Sequence, residues 1–244
     1  MQYDRTMAWS YGSEKDIAFI KKIKTAYTSH NILPHITSRY PSTQKIKVLE
    51  FGPGLGIMTE LFIDNYNEID YTAIDIDKTV LERVSKILPS AHTICAGDFE
   101  SFSQQVKNNK YDIIVALDVW EHLPNKELID YTRKAYEILN PSGCFIAQVP
   151  NLASPMAFNC IYASDITHQN MFNENSAKQL LLMAEIPVEK IKIIPYEFPP
   201  INIFWKVRTF FRKLFYIFVK MQMVLLGVVR NDILTPNLIM VAEK

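Results

Sequence analysis

The sequence is poor in cysteine, in glycine and in net charge, and each shortage excludes something. Only three of its 244 residues are cysteines, Cys95, Cys144 and Cys160. Their number is odd and none stands at a metal-ligand spacing, so neither a disulfide framework nor a cysteine-based zinc site is expected. Their apolar neighbours predict reduced, buried thiols in a cytosolic protein. Twenty-six basic residues balance 26 acidic ones, which removes the global attraction that a nucleic-acid partner would need. No uninterrupted apolar run reaches the length that spans a bilayer. The opening stretch MQYDRTMAWSYGSEKD lacks the charged-then-apolar pattern of a secretion signal, so the expected location is the cytoplasm. Glycine occurs seven times, and three of the seven crowd into positions 52–56.

That crowding marks the stretch around which the chain is organised. Ile46, Val48 and Leu49 form a short apolar run ending in Glu50, followed by Gly52, Gly54 and Gly56 and then a helix-compatible segment. A buried strand, a glycine turn and a helix form the opening unit of a nucleotide-binding α/β fold, in which glycines let the backbone turn sharply and approach a ligand. A dinucleotide fingerprint would place the third glycine one position later, where Ile57 stands. Strand-like runs recur at 71–75, 92–96, 111–117 and 144–150, with helical patterns at 78–88 and 126–139 between them. The run YDIIVAL is nearly all apolar, as in a sheet buried on both faces. This alternation predicts a doubly wound parallel sheet. Residues 1–44 carry a helical stripe (Ile17, Phe19, Ile20, Ile23, Tyr27) starting after Ser13, with Trp9 and Tyr11 placed to cover a ligand or simply to pack.

Four motifs carry a family resemblance. Glu50-x-Gly52-x-Gly54-x-Gly56 resembles motif I of the class I S-adenosylmethionine-dependent methyltransferases. Asp118-x-x-Glu121-His122-Leu123, at the end of the fourth strand, is similar to the matching motif of relatives of the ubiquinone-pathway enzymes. Gly97-Asp98-Phe99 after strand three and the Leu139-x-Pro141-x-Gly143 turn complete the set. The resemblance covers residues 46–150 and implies a Rossmann-like methyltransferase fold: a mostly parallel seven-stranded sheet with an N-terminal helical layer and a helical insertion before the last strand. It implies S-adenosylmethionine as cofactor, held by Glu50, Gly52, Gly54, Gly56, Asp75, Ile76, Asp98, Phe99 and Leu117. Asp75 would accept from the ribose hydroxyls and Asp98 from the adenine amine; Asp98 could instead cap a helix, and Asp77 reads as a helix cap. The organisation expected is one domain: a cap (1–44), a cofactor core (45–150) and an acceptor side (151–244).

The acceptor side opens with Val149-Pro150-Asn151-x-x-Ser154-Pro155 and continues with Asp165-x-Thr167-His168-x-x-x-Phe172, ahead of a helix capped by Asn173 or Asn175. These patterns resemble a methyltransferase subgroup linked to bacterial surface-glycan synthesis. His168 could serve as general base with Asp165 beside it, or the two could form a structural pair. Glu121 and His122 are the other catalytic candidates. Asp118, Glu121 and His122 are possible ligands within five residues. The resemblance to ubiquinone-pathway methyltransferases suggests a divalent ion, for which carboxylate-rich ligation would suit magnesium more than zinc; the reading taken is substrate positioning or a helix N-cap, with no metal. Strands six (188–195) and seven (236–242) frame an insertion at 199–232. There Phe204, Val207, Phe210, Phe211, Leu214, Phe215, Phe218 and Val219 recur at helical spacing among Lys206, Arg208, Arg212, Lys213 and Lys220, with no acid between Glu197 and Asp232. Residues 204–225 read as a membrane-surface element, at the inner face of a membrane, or as a helix packed on the sheet or on a partner subunit. The reading is O-methylation of a small-molecule or lipid-linked glycan acceptor. A quinone-pathway or other small-molecule methyltransferase is the runner-up; an NAD-dependent oxidoreductase and a non-catalytic peripheral membrane module are the readings from other classes.

Overall fold

The computed structural model describes residues 14–155, 162–199, 203–228 and 231–244, with side chains from residue 17 onward. The apolar run before the glycines is the central strand. β1 (Ile46–Phe51) pairs in parallel with β2 (Ile69–Asp75) on one side and β4 (Tyr111–Leu117) on the other. β3 (His92–Cys95) extends the sheet beyond β2 and β5 (Leu139–Pro150) beyond β4, both in parallel. β7 (Asn237–Glu243) lies antiparallel between β5 and β6 (Ile191–Pro195). The order β3-β2-β1-β4-β5-β7-β6 is the doubly wound, mostly parallel seven-stranded sheet expected.

Alternation along the strands feeds two cores. Leu49 and Phe51 of β1, Ile114 and Ala116 of β4, and Phe145 and Ala147 of β5 pack with α5 (Phe99–Val106), α6 (Leu128–Glu137) and α7 (Glu174–Met183). Val48, Ile113, Val115 and Ile146 face the other way, against α2 (Leu33–Thr37), α3 (Ile57–Asn65) and α4 (Lys78–Ile87). Because both faces are covered, central strands can be continuously apolar. Capping fixes where the helices begin. Asp77 accepts from Thr79 N at the start of α4, and Asn173, not Asn175, closes a capping box with Ser176 on α7.

Several expectations need correction. α1 (Glu14–Asn31) turns Thr28 and Asn31 inward and sends Lys21 and Lys24 to Glu60 and Asp118, which leaves Phe19 65% exposed, off the buried stripe. The Asn140–Gly143 turn is taken up in β5, where Ser142 sits at φ +67° and the pairing with β4 shifts register. A 3₁₀ turn at Val188–Lys190 delays β6 to Ile191. Cys144 is buried but Cys95 is exposed; Trp9, Tyr11, Ser13 and Cys160 lie outside the described residues. The insertion forms α8 (Ile203–Leu225), none of whose residues is buried or joins either core of the sheet.

Candidate active site

β1 delivers the chain to Gly52, whose N–H donates to Ile74 O at 2.8 Å and ties the turn to β2. Gly52, Gly54 and Gly56 all have φ between +53° and +75°, a region that favours glycine. What a side chain would meet differs among them. A Cβ at Gly52 would lie 2.6 Å from Val119 Cγ2 and one at Gly56 would strike Ile87, whereas at Gly54 the sole neighbour is Gly52 O at 3.9 Å. The outer glycines make room for the protein itself, and the middle one borders open space. Arg83 holds the loop by donating to Gly54 O at 2.6 Å.

Glu50 is enclosed beneath α3, where Thr59 and Tyr71 donate to its carboxyl. Burial, partly opposed by the Thr59 hydrogen bond, raises its pKa to about 8. Asp75 ends β2 with its carboxylate accepting from Asp77 N at 2.8 Å, and Ile76 beyond it is exposed. Asp98 is the N-cap of α5, accepting from Ser101 N at 2.7 Å; that backbone hydrogen bond holds its pKa below the usual carboxylate value. Phe99 packs against Tyr131, 5.1 Å between ring centroids, and Leu117 ends β4 half-buried. All these groups stand at the carboxyl ends of adjacent parallel strands, the edge at which open α/β sheets bind ligands. An open glycine cradle with carboxylates at the next two strand ends fits the chemistry of S-adenosylmethionine.

A second cluster follows β4. Asp118, at φ +57°, accepts from Gln148 Nε2 at 2.7 Å and pairs with Lys24 of α1 at 3.7 Å. Trp120–His122 then make one 3₁₀ turn, pinned where Trp120 Nε1 donates to Thr132 Oγ1 at 2.9 Å. The Asp165–Phe172 segment straps this turn. Gln169 N and Asn170 N both donate to Glu121 O, at 2.8 and 3.0 Å, and Asn170 Nδ2 reaches Trp120 O and Leu123 O. The strap brings Thr167 Oγ1 to 2.8 Å from His122 Nδ1 and 2.6 Å from Asp165 Oδ1. Asp165 has no proton to give, so the Thr167 hydroxyl donates to it and must accept from His122 Nδ1–H. That assignment leaves His122 Nε2 with a lone pair.

Electrostatics sharpen the picture. Burial, with Asp118 nearby, holds the Glu121 pKa well above the ordinary carboxylate range. Burial also acts on Asp165, but hydrogen bonds from Thr167 and the nearby His122 and His168 outweigh it and hold that carboxyl below its usual value. His122 Nε2 lies 3.9 Å from Glu121 Oε1, and the His122 and His168 rings are 4.7 Å apart. The His168–Asp165 side-chain pair expected from the sequence does not form. Asp165 is bonded to Thr167, and His168 Nδ1 has no hydrogen-bond partner among the described residues. The alternative set of metal ligands changes too. Glu121, His122 and His168 place ligand atoms within 4.8 Å of one another, while Asp118, committed to Gln148 and Lys24, is not in the group. Two imidazoles and one carboxylate could hold a first-row transition ion more readily than magnesium. Thr167 stood in the sequence pattern without a role, and Asn170, Gln148 and Lys24 were not singled out. Asp-x-Thr is an Asx-turn pattern that could have flagged Thr167, but Gln148 and Lys24 reach Asp118 from 30 and 94 residues away.

Comparison with known proteins bears on the family and the fold. A family profile described as "Methyltransferase domain" matches residues 27–185. Malonyl-[acyl-carrier protein] O-methyltransferase of Priestia megaterium is 21% identical over 158 residues, 64% of this chain and 56% of that protein. Ubiquinone biosynthesis O-methyltransferase of Rickettsia canadensis is 27% identical over 122 residues, 49% of each. The chain thus spans about half the length of these curated relatives. Among solved structures, a SAM-dependent methyltransferase from Archaeoglobus fulgidus superposes with a TM-score of 0.61 at 15% identity, covering 93% of this chain and 99% of its own. The plantazolicin methyltransferase BpumL, solved in complex with a pentazolic desmethylPZN analog and SAH, gives 0.61 at 17% identity, over 100% and 91%. These likenesses share the fold. With the family profile covering more than half of its residues, the chain belongs to the methyltransferase domain family.

Proposed function

We propose that this member of the family is an S-adenosylmethionine-dependent O-methyltransferase acting on a hydroxyl of a small-molecule, glycan or glycolipid-type acceptor. The observation that carries the reading is the Asp165–Thr167–His122 chain of hydrogen bonds beside buried Glu121. The cofactor supplies a methyl group already activated on a sulfonium, so positioning can provide much of the acceleration. Gly52, Gly54, Gly56, Asp75, Ile76, Asp98, Phe99 and Leu117 would hold it, with Glu50 bracing the loop from beneath α3. His122 Nε2 would take the acceptor hydroxyl's proton, while Thr167 and Asp165 hold the ring and balance the charge it gains. Glu121, its pKa raised by burial, stands beside this hydrogen-bond chain with one carboxyl oxygen unpartnered among the described residues. The Asp165–Phe172 pattern supports a glycan acceptor. A lipid-linked acceptor would require contact with the inner face of a membrane, which residues 204–225 would supply. The similarity to a ubiquinone biosynthesis O-methyltransferase over 122 residues favours, as a second reading, a phenolic quinone precursor.

Turnover across nucleotide sugars, glycolipids and phenols tests both readings. With the best acceptor, His122→Ala should lower kcat by roughly two to four orders of magnitude while leaving SAH affinity unchanged. Thr167→Val should also lower kcat, and Thr167→Ser should restore it, because the hydroxyl and not the fold is at issue. Near-normal turnover in folded His122→Ala removes this base. A large loss in His168→Ala alone would move the role to His168.

A further inference from the structure

Helix α8 is the part of the molecule that methyl transfer does not explain. Its 23 residues make a rod of about 35 Å, and one stripe holds it to the body. Trp205, Thr209, Arg212, Tyr216, Val219 and Met223, spaced alternately four and three residues apart, are half-buried, as is Lys220 beside them. Along the stripe Arg212 pairs with Glu197 at 2.8 Å, Lys220 with Asp232 at 3.3 Å, and the Trp205 ring meets Tyr27. The opposite side is apolar and bare. Phe210, Phe211, Leu214, Phe218, Met221 and Leu225 are each about half exposed or more, from 49% to 82%. Water-soluble monomers rarely leave so much contiguous apolar surface uncovered. Lys206 and Lys213, one row seven residues apart, edge this face in the open, and the helix contains no acid.

We propose that α8 lies flat on an anionic lipid surface, its aromatic face in the acyl boundary and its lysine row among the headgroups. Charge decides between lipid and a second copy of the chain. Isologous pairing through this face would gather basic edges with no acid on the helix to neutralise them, whereas anionic headgroups neutralise them directly. The helix lies on the surface and does not cross it: among the described residues none is long and apolar enough to span a bilayer. Its root also adjoins the active-site mouth. Glu197 N donates to Asn31 of α1 at 2.7 Å, Tyr27 of α1 meets Trp205, and Lys24 of α1 reaches Asp118. A lipid-borne hydroxyl would therefore arrive beside the crevice; this last step rests on the methyl-transfer reading, and the docking itself does not.

The test is flotation of the full chain with phosphatidylcholine vesicles and with mixed phosphatidylcholine–phosphatidylglycerol vesicles. Partition onto the anionic vesicles should be about tenfold stronger and should fall with added salt. The paired change Phe211→Asp and Phe218→Asp should abolish vesicle binding while SAH affinity and melting temperature hold, since both rings are exposed. Lys206→Glu with Lys213→Glu should erase the preference for phosphatidylglycerol. Absence of the chain from anionic vesicles overturns the proposal. So does undiminished binding by the Asp pair. Vesicle-independent dimerisation that the Asp pair abolishes would identify a self-association face instead.

Discussion

Glu50 shows how burial sets a residue's chemistry before any ligand arrives. Its carboxyl, shared by Thr59 and Tyr71, has a pKa of about 8 in the fold against 4.5 for the free side chain. Between these values the folded chain keeps a proton that the unfolded chain has released, so stability falls as pH rises through that window. The slope is about 1.4 kcal/mol per pH unit. Thermal melts of the unliganded protein should therefore show a melting temperature that drops between about pH 5 and pH 8, and Glu50→Gln should flatten this trend. An equal drop in the variant would assign it to other groups. Glu50 stood in the sequence as a motif residue, but its enclosure could not be read there, because Tyr71 comes from a neighbouring strand. The same holds for His122. Its neighbours in sequence reveal a polar strand end, while the Thr167 hydroxyl that fixes its tautomer is 45 residues away.

At the level of elements, the glycine loop and α8 were both visible as local pattern, and for different reasons. The loop is recognisable because only glycine tolerates positive φ three times in five residues. Its division of labour was not visible, since it depends on Val119 and Ile87 from elsewhere in the chain. Gly54→Val should leave the protein folded, with a melting temperature lower by a few degrees because φ of +53° strains a branched residue. SAH affinity, read by calorimetry, should fall at least about a hundredfold as the side chain fills the cradle, a loss of roughly 2.8 kcal/mol. Affinity within a few-fold of the parent would place the ligand outside this loop. In α8 the periodicity of aromatic residues announced a helix; which side met the body was set by Glu197, Asp232 and Tyr27, none of them in the helix.

For the whole molecule, the two cores on either face of one sheet make cofactor binding and folding a linked equilibrium. SAH at a hundred times its dissociation constant should stabilise the fold by about 2.7 kcal/mol, a rise of roughly 5–10 °C for a chain of this size. NAD at equal concentration should produce none. A shift with NAD and not with SAH would return the protein to the oxidoreductase class. The sequence by itself determined the doubly wound, mostly parallel sheet and the runs that build its strands, because apolar runs, glycine turns and helix caps act within a few residues of one another. Only the tertiary structure decided which groups meet at the acceptor side. Asp165 turned out to hold Thr167 and not His168, Asp118 was withdrawn by Lys24 and Gln148, and α8 kept its apolar face clear of the sheet. The physical reason is common to all three: hydrogen-bond partners and buried faces are chosen by distance in space, and that distance is set once the crossovers have folded segments remote in sequence against one strand end.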